Sequence, residues 1–177
     1  HERLVLAPYI SHGSAGIDLP FWKPISGEST VSTLVSLVET LHKNISYEYR
    51  EEGPARSPEE TIQRASGACR DTALLLAAVA RGLGLAVRVV SGFLTEFDVS
   101  SEQRVAEGAM HAWCEVFLPG AGWVGLDGTN GVFCDHCYLP CAAGLTMEDV
   151  APLLGSYYGQ ERVESALTST IRLTLLR

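Results

Sequence analysis

Apolar residues recur at three- and four-residue steps through Val31, Leu34, Val35, Val38, Leu41 and Ile45, which predicts a helix over about Thr30 to Lys43. Ser29 or Thr30 can cap it. Ser57-Pro58-Glu59-Glu60 is a second helix start, with a capping serine, a proline suited to the first turn and a glutamate placed to reach back. That short helix runs to about Ala65 and breaks at Gly67. A third pattern follows, in which Ala73 to Ala80 are apolar on every side. A helix without a polar face belongs in the core, so this one is predicted to be the central buried helix, ending near Gly82-Leu83-Gly84.

Period-two patterning takes over next. Leu85 to Leu94 reads as a strand, and His111 to Leu118 with Trp123 to Asp127, joined through Pro119-Gly120-Ala121-Gly122, reads as a β-hairpin. Residues 1–28, broken by Pro8, Pro20 and Pro24, are predicted to be an irregular arm or strand. Thr95 to Gly108 is polar and acidic, a loop placed to border a cleft. The pattern weakens through residues 134–141. Thr146 to Leu154 suits a short helix or turn, and Ala166 to Leu176 a last strand. The fold class is α+β, a central helix packed on an antiparallel sheet. The organisation expected is one domain: arm 1–28, core 29–160 and C-terminal strand 161–177.

Composition narrows the options. The chain has 177 residues, 46% hydrophobic and 19% charged, as in an ordinary globular domain. A net charge of -8 disfavours a nucleic-acid or anionic-membrane surface. No apolar run approaches the roughly 20 residues of a membrane span. Five scattered cysteines do not have the spacing of a disulfide-stapled secreted domain, so a reducing, cytoplasmic setting is expected.

One of those cysteines stands apart. Cys69 precedes the buried helix, where unpaired N–H groups and the helix dipole lower a thiol's pKa and supply donors to whatever the sulfur attacks. A nucleophile needs a base, and the base needs an orienting group. His111 opens one arm of the hairpin and Asp127 closes the other. Both share a face if the connecting loop has an odd length. Singly, each residue has a plainer explanation: an inert packed thiol, a structural histidine, a turn aspartate. Together they form a Cys-His-Asp set in which Cys69 attacks a carboxamide, His111 moves the proton and Asp127 holds the imidazole. The Cys69 N–H would bind the oxyanion. Trp113 and Trp123 are candidate substrate-groove residues. Arg70 and Asp71 are expected to pair with each other or with loops, and Cys114 to face the core.

Gly67-Ala68-Cys69-Arg70-Asp71-Thr72-Ala73, Arg81-Gly82-Leu83-Gly84 and Arg88 to Phe93 resemble the bacterial transglutaminase-like family. So do His111-Ala112-Trp113-Cys114-Glu115-Val116, Pro119 to Trp123 and Asp127-Gly128-Thr129-Asn130. The similarity spans about residues 31 to 160. It implies a papain-like α+β core and thiol acyl-transfer chemistry, with the family's triad falling on Cys69, His111 and Asp127. Members include cross-linkers, peptidases and amidases, so the substrate stays open within peptides and proteins. Hydrolysis is the favoured reading over cross-linking; the alternative is a catalytically idle binding or assembly module. Two departures stand out. Gly128 replaces the family's usual proline, which is expected to loosen that turn, and only a short arm precedes the first helix, as in an excised core or a shorter member.

Cys134, His136, Cys137 and Cys141 offer four zinc ligands within eight residues. Structural zinc generally uses separated ligand pairs, and adjacent His136 and Cys137 strain a tetrahedron. No metal or other cofactor is expected.

Overall fold

The computed structural model describes residues 2–12, 17–50, 53–95, 110–152 and 158–159, with side chains from residue 5 onward. The expected C-terminal strand at 161–177 and nearly all of the acidic loop lie outside these residues.

Among the described residues, four helices and seven strands follow in the order α1 (Glu2–Ser11), α2 (Thr30–Asn44), β1 (Ser46–Tyr47), α3 (Pro58–Arg64), β2 (Ser66–Gly67), α4 (Cys69–Gly82), β3 (Val87–Leu94), β4 (Met110–Leu118), β5 (Gly122–Asp127), β6 (Val132–Phe133) and β7 (Tyr138–Gly144). Ser29 caps α2 by accepting the Ser32 N–H at 3.1 Å. Ser57 does the same for Glu60 in α3, while the Glu60 carboxylate pairs with Arg64 at 2.9 Å. Helix α4 ends as its glycines require, with Gly84 at φ +81.

The core lies between α2, α4 and one face of a five-stranded antiparallel sheet ordered β6-β5-β4-β3-β7. Leu34, Leu37 and Leu41 of α2 meet Leu75, Leu76 and Ala80 of α4, and Val87, Val89, Cys114, Val116 and Leu126 supply the sheet side. Val31 and Val35, which share the periodicity of α2, instead face solvent. Cys114 is fully buried, as its place opposite His111 on an ideal strand predicts.

Two regions depart from the sequence reading. The arm at 1–28 contains α1, a helix that accommodates Pro8 in its interior and lays Tyr9 edge-on against Trp123 at 5.2 Å. The weak stretch after Asn130 contains β6 and β7. β7 pairs with β3 on the side away from β4, with a bulge where Ser91 meets Ala142 and Gly92 meets Pro140. Cys141 is the extra residue, and it is exposed. Residues 145–150 form a turn that Asp149 holds by accepting the Leu145 and Thr146 N–H groups at 2.9 Å each.

Sheet order also fixes shape. β6 and β7 lie at opposite edges, four strand spacings apart, or about 19 Å in a flat sheet. Only residues 134–137 join them, and that link is a compact turn in which Asp135 accepts the Cys137 N–H at 2.8 Å. The sheet is therefore strongly curled, and the link passes across the face that carries Trp113. Gly92 permits the closure, because a Cβ there would strike the Leu139 carbonyl oxygen and stand 2.8 Å from the Trp113 ring.

Candidate active site

Cys69 is the first residue of α4. Ala68, as N-cap, has no side chain to cap with, and the turn is fixed from the other direction by Asp71. The Asp71 carboxylate accepts the Ala68 N–H at 2.9 Å and the Arg56 N–H at 2.8 Å, and takes both arms of the Arg50 guanidinium at 2.9 and 2.8 Å. Asp71 is fully buried. Arg70 donates to the Arg50 carbonyl at 2.9 Å. The two residues that follow the thiol thus pair with the loop around Arg50. The helix start is built as a rigid platform.

The hairpin supplies the other side. Leu118 pairs with Gly122 across a three-residue loop, so odd-numbered residues of β4 and β5 share a face. Continuing the register one step beyond Cys114↔Leu126 sets Asp127 across from Trp113, with His111 two residues along the same face. The His111 Nε2 and Asp127 Oδ2 are 2.7 Å apart. Their side chains are 11% and 1% exposed. With Nε2 engaged, the other ring nitrogen serves the thiol.

The electrostatics follow from that geometry. Burial pushes the Cys69 thiol up, but its hydrogen bond to the His111 ring, the imidazolium charge and the N–H groups of Ala112 and Arg70 outweigh it, and the thiol sits below its ordinary value. Burial works against the His111 charge as well, and the bonds to Asp127 and Cys69 override it, raising the imidazole to about 9. Asp127 is held low because donors from His111, Tyr138 and Asn130 outweigh its own burial. A thiol lowered and an imidazole raised by the same contact is the direction that favours a thiolate–imidazolium pair.

Asp127 is more heavily supported than the motif suggests. Oδ1 accepts the N–H groups of Thr129 at 2.8 Å and Asn130 at 3.3 Å. Oδ2 accepts the Asn130 amide at 2.7 Å and the Tyr138 hydroxyl at 2.8 Å in addition to His111. The turn expected to be loose at Gly128 is tight: Gly131 N–H bonds the Asp127 carbonyl at 2.8 Å. A Cβ at Gly128 would lie 3.0 Å from Thr72 and 3.2 Å from Leu41, so glycine here lets the turn settle onto α2 and α4.

The two tryptophans lie elsewhere than in an open groove. Trp113 is 2% exposed and backs the His111 ring, centroids 6.3 Å apart, with Tyr138 edge-on at 5.4 Å. Trp123 lies at the far end of the hairpin, between Tyr9, Phe117 at 5.5 Å and the Arg88 guanidinium 4.4 Å above its ring. Sequence reasoning missed Tyr138 and Arg50, whose partners are 11 and 21 residues away and carry no local spacing signal. Asn130 was visible inside the Asp-Gly-Thr-Asn run.

Of the four zinc-type residues, His136 and Cys137 lie together, 3.8 Å between Nε2 and Sγ, while Cys134 and Cys141 lie apart from them. Cys134 packs its sulfur over Gly125, where a Cβ would come within 2.9 Å of it, and burial pushes that thiol up. Cys141 occupies the bulge. Among the described residues, Asp135, His136 and Cys137 bring ligand atoms within 4.8 Å of one another, an exposed group of three consecutive residues rather than two converging pairs.

Comparison with known proteins agrees with this architecture. A profile of the transglutaminase-like superfamily matches residues 23–128, more than half of the chain. Mycobacterial proteins are similar in sequence: ML0607 of Mycobacterium leprae is 34% identical over 101 residues, 57% of this chain and 36% of its own length. Mb2599c of Mycobacterium bovis is 31% identical over 133 residues, 72% of this chain and 42% of its own. Both are described as uncharacterized, and the chain spans less than half of each. A candidate cysteine protease from Cytophaga hutchinsonii has the same fold, with a TM-score of 0.59 at 21% identity over 85% of this chain and 44% of that one. The α+β sheet-and-helix core is of the transglutaminase and papain type, and the chain belongs to the transglutaminase-like superfamily.

Proposed function

We propose that this chain is a thiol-dependent hydrolase or acyltransferase of peptide and protein carboxamides, with Cys69, His111 and Asp127 as its triad. The observation that carries this reading is the 2.7 Å His111–Asp127 bond beside a thiol at a helix N-terminus. The Cys69 thiolate adds to the carbonyl carbon, and the Cys69 N–H receives the developing oxyanion. As the tetrahedral intermediate collapses, the C–N bond breaks, the imidazolium proton goes to the departing amine and a thioester remains on Cys69. His111 then takes a proton from water, hydroxide adds to the thioester, and the C–S bond breaks to return thiolate and release the acid. An amine in place of water gives transamidation. Hydrolysis is the favoured outcome, since water needs no dedicated acceptor site.

Tyr47 supports a binding surface on the same side. It pairs in register with Gly67, two residues before the nucleophile, and is 59% exposed. We assign it to contact with the acyl donor. Five free cysteines fit a reducing, cytoplasmic compartment, which subcellular fractionation tests. Among the described residues no helix is long and apolar enough to cross a membrane.

Iodoacetamide at neutral pH tests the triad. Cys69 is expected to alkylate faster than the other four cysteines, and His111→Ala to slow it at least tenfold. Labelling of Cys69 no faster than that of the other cysteines, and unchanged by His111→Ala, would sink the reading and leave a folded but idle binding module.

A further inference from the structure

From the crowding on one oxygen of Asp127, we infer that Tyr138 is a positioning residue that regulates how tightly His111 holds its proton. Oδ2 is shared by three donors: the His111 ring at 2.7 Å, the Asn130 amide at 2.7 Å and the Tyr138 hydroxyl at 2.8 Å. A carboxylate oxygen divides its electron density among its donors, so each added donor weakens the others. The Tyr138 hydroxyl competes with the imidazole for the same lone pairs. Without it, Oδ2 is a stronger base toward Nε2–H and the imidazolium gives up its proton less readily. General acid catalysis needs a proton that can leave, so the competing donor favours turnover.

Tyr138 is held where it can do this. Its ring lies edge-on against Trp113 and 6.0 Å from the His111 ring, and its backbone pairs with Leu94 at the start of β7. Thr95 grips the preceding Cys137 carbonyl through its N–H at 2.9 Å and its hydroxyl at 3.1 Å. Among the described residues, the ionisable groups around the pair include His42 on α2, whose Nδ1 lies 2.7 Å from the Thr129 carbonyl oxygen of the Asp127 turn. Cys69 on α4 faces the ring, and Cys114 on β4 and Cys134 after β6 feel the Asp127 charge. Burial keeps both of those thiols neutral.

The inference rests on the acyl-transfer reading only for its catalytic meaning; the proton affinity is measurable without a substrate. The measurement is the His111 titration in histidine-labelled protein by NMR, the resonance assigned with His111→Gln. Tyr138→Phe keeps the ring and removes the donor, and is expected to raise the His111 midpoint by about half to one pH unit. Site-specific 3-fluorotyrosine at position 138, a stronger donor of nearly the same shape, is expected to lower it. Opposite shifts from the two replacements support the inference, because a packing role would not reverse sign. A midpoint that is unchanged or lower in Tyr138→Phe overturns it, as does an upward shift with fluorotyrosine, which remains measurable even if the phenylalanine variant fails to fold. Cys69 labelling separates the two proposals. Preferential labelling without a Tyr138 shift defeats this inference alone, and a Tyr138 shift without preferential labelling defeats the acyl-transfer reading alone.

Discussion

Two carboxylates in this molecule are equally hidden and differently employed. Asp71 and Asp127 are 0% and 1% exposed, and each accepts two backbone N–H groups. Asp71 is balanced by Arg50, whose charge is permanent at any relevant pH, through a two-armed contact. Asp127 is balanced by His111, which can gain and lose its proton. The difference teaches how the chain divides labour. A fixed ion pair holds the turn at Cys69, and a titratable one lies beside its thiol.

Exchanging the roles is the strongest way to break that comparison. Asp127→Asn keeps the shape but removes the charge that stabilises the imidazolium. Turnover of an amide substrate is expected to fall by about 10³- to 10⁴-fold, with kcat affected more than KM. Asp71→Asn should do the reverse. It leaves Arg50 without its counter-charge near a buried turn, and a stability loss of about 3–5 kcal/mol is expected by urea unfolding. Equal effects of the two substitutions on stability would erase the distinction.

A smaller effect sharpens it through pH. The folded His111 value of about 9 lies above the ordinary 6.5, so the imidazolium contributes stability that is fully present below pH 6.5 and is lost as pH rises through about 9. In Cys69→Ser, where no thiolate forms to offset this, unfolding free energy should decline by about 2 kcal/mol between pH 6.5 and 9.5, allowing for the lost Cys69 bond. Adding Asp127→Asn should flatten most of that slope. Adding Asp71→Asn should leave it in place. The smallest expected change is in Arg50→Lys, which keeps the charge but surrenders the fork, costing about 1 kcal/mol with Cys69 labelling nearly unaltered.

Much of this was visible in the chain itself, for physical reasons that can be named. Helices α2, α3 and α4 declare themselves through caps and apolar period, because those signals are local. The hairpin was legible for the same reason, but its loop length was not: Gly122 belongs to β5, so the connection has three residues rather than the four read from the sequence, and that odd length puts His111 and Asp127 on one face. The helix at Glu2–Ser11 was not, since Pro8 inside it reads as a breaker. β7 was hidden by Pro140 and by the extra residue Cys141, which interrupts alternation. Tyr138 and Arg50 were invisible as site residues because what defines them is a partner brought close only by the tertiary fold. Tertiary contacts also decided the tryptophans: Trp113 and Trp123 look alike on the hairpin, and one is walled in by Tyr138 while the other is roofed by Arg88 and Tyr9.

The curled sheet has a consequence for what can attach to it. Its outermost strands are poor templates: β6 is two residues long, and β7 contains Pro140, which has no N–H to offer, and a bulge at Cys141. Such edges resist pairing with a foreign strand. An extended polypeptide approaching Cys69 therefore gains little by joining this sheet as a further strand. Among the described residues, the short β1–β2 pair next to the thiol is the nearer backbone edge, and neither outer strand of the sheet is a long, flat template for association with other copies.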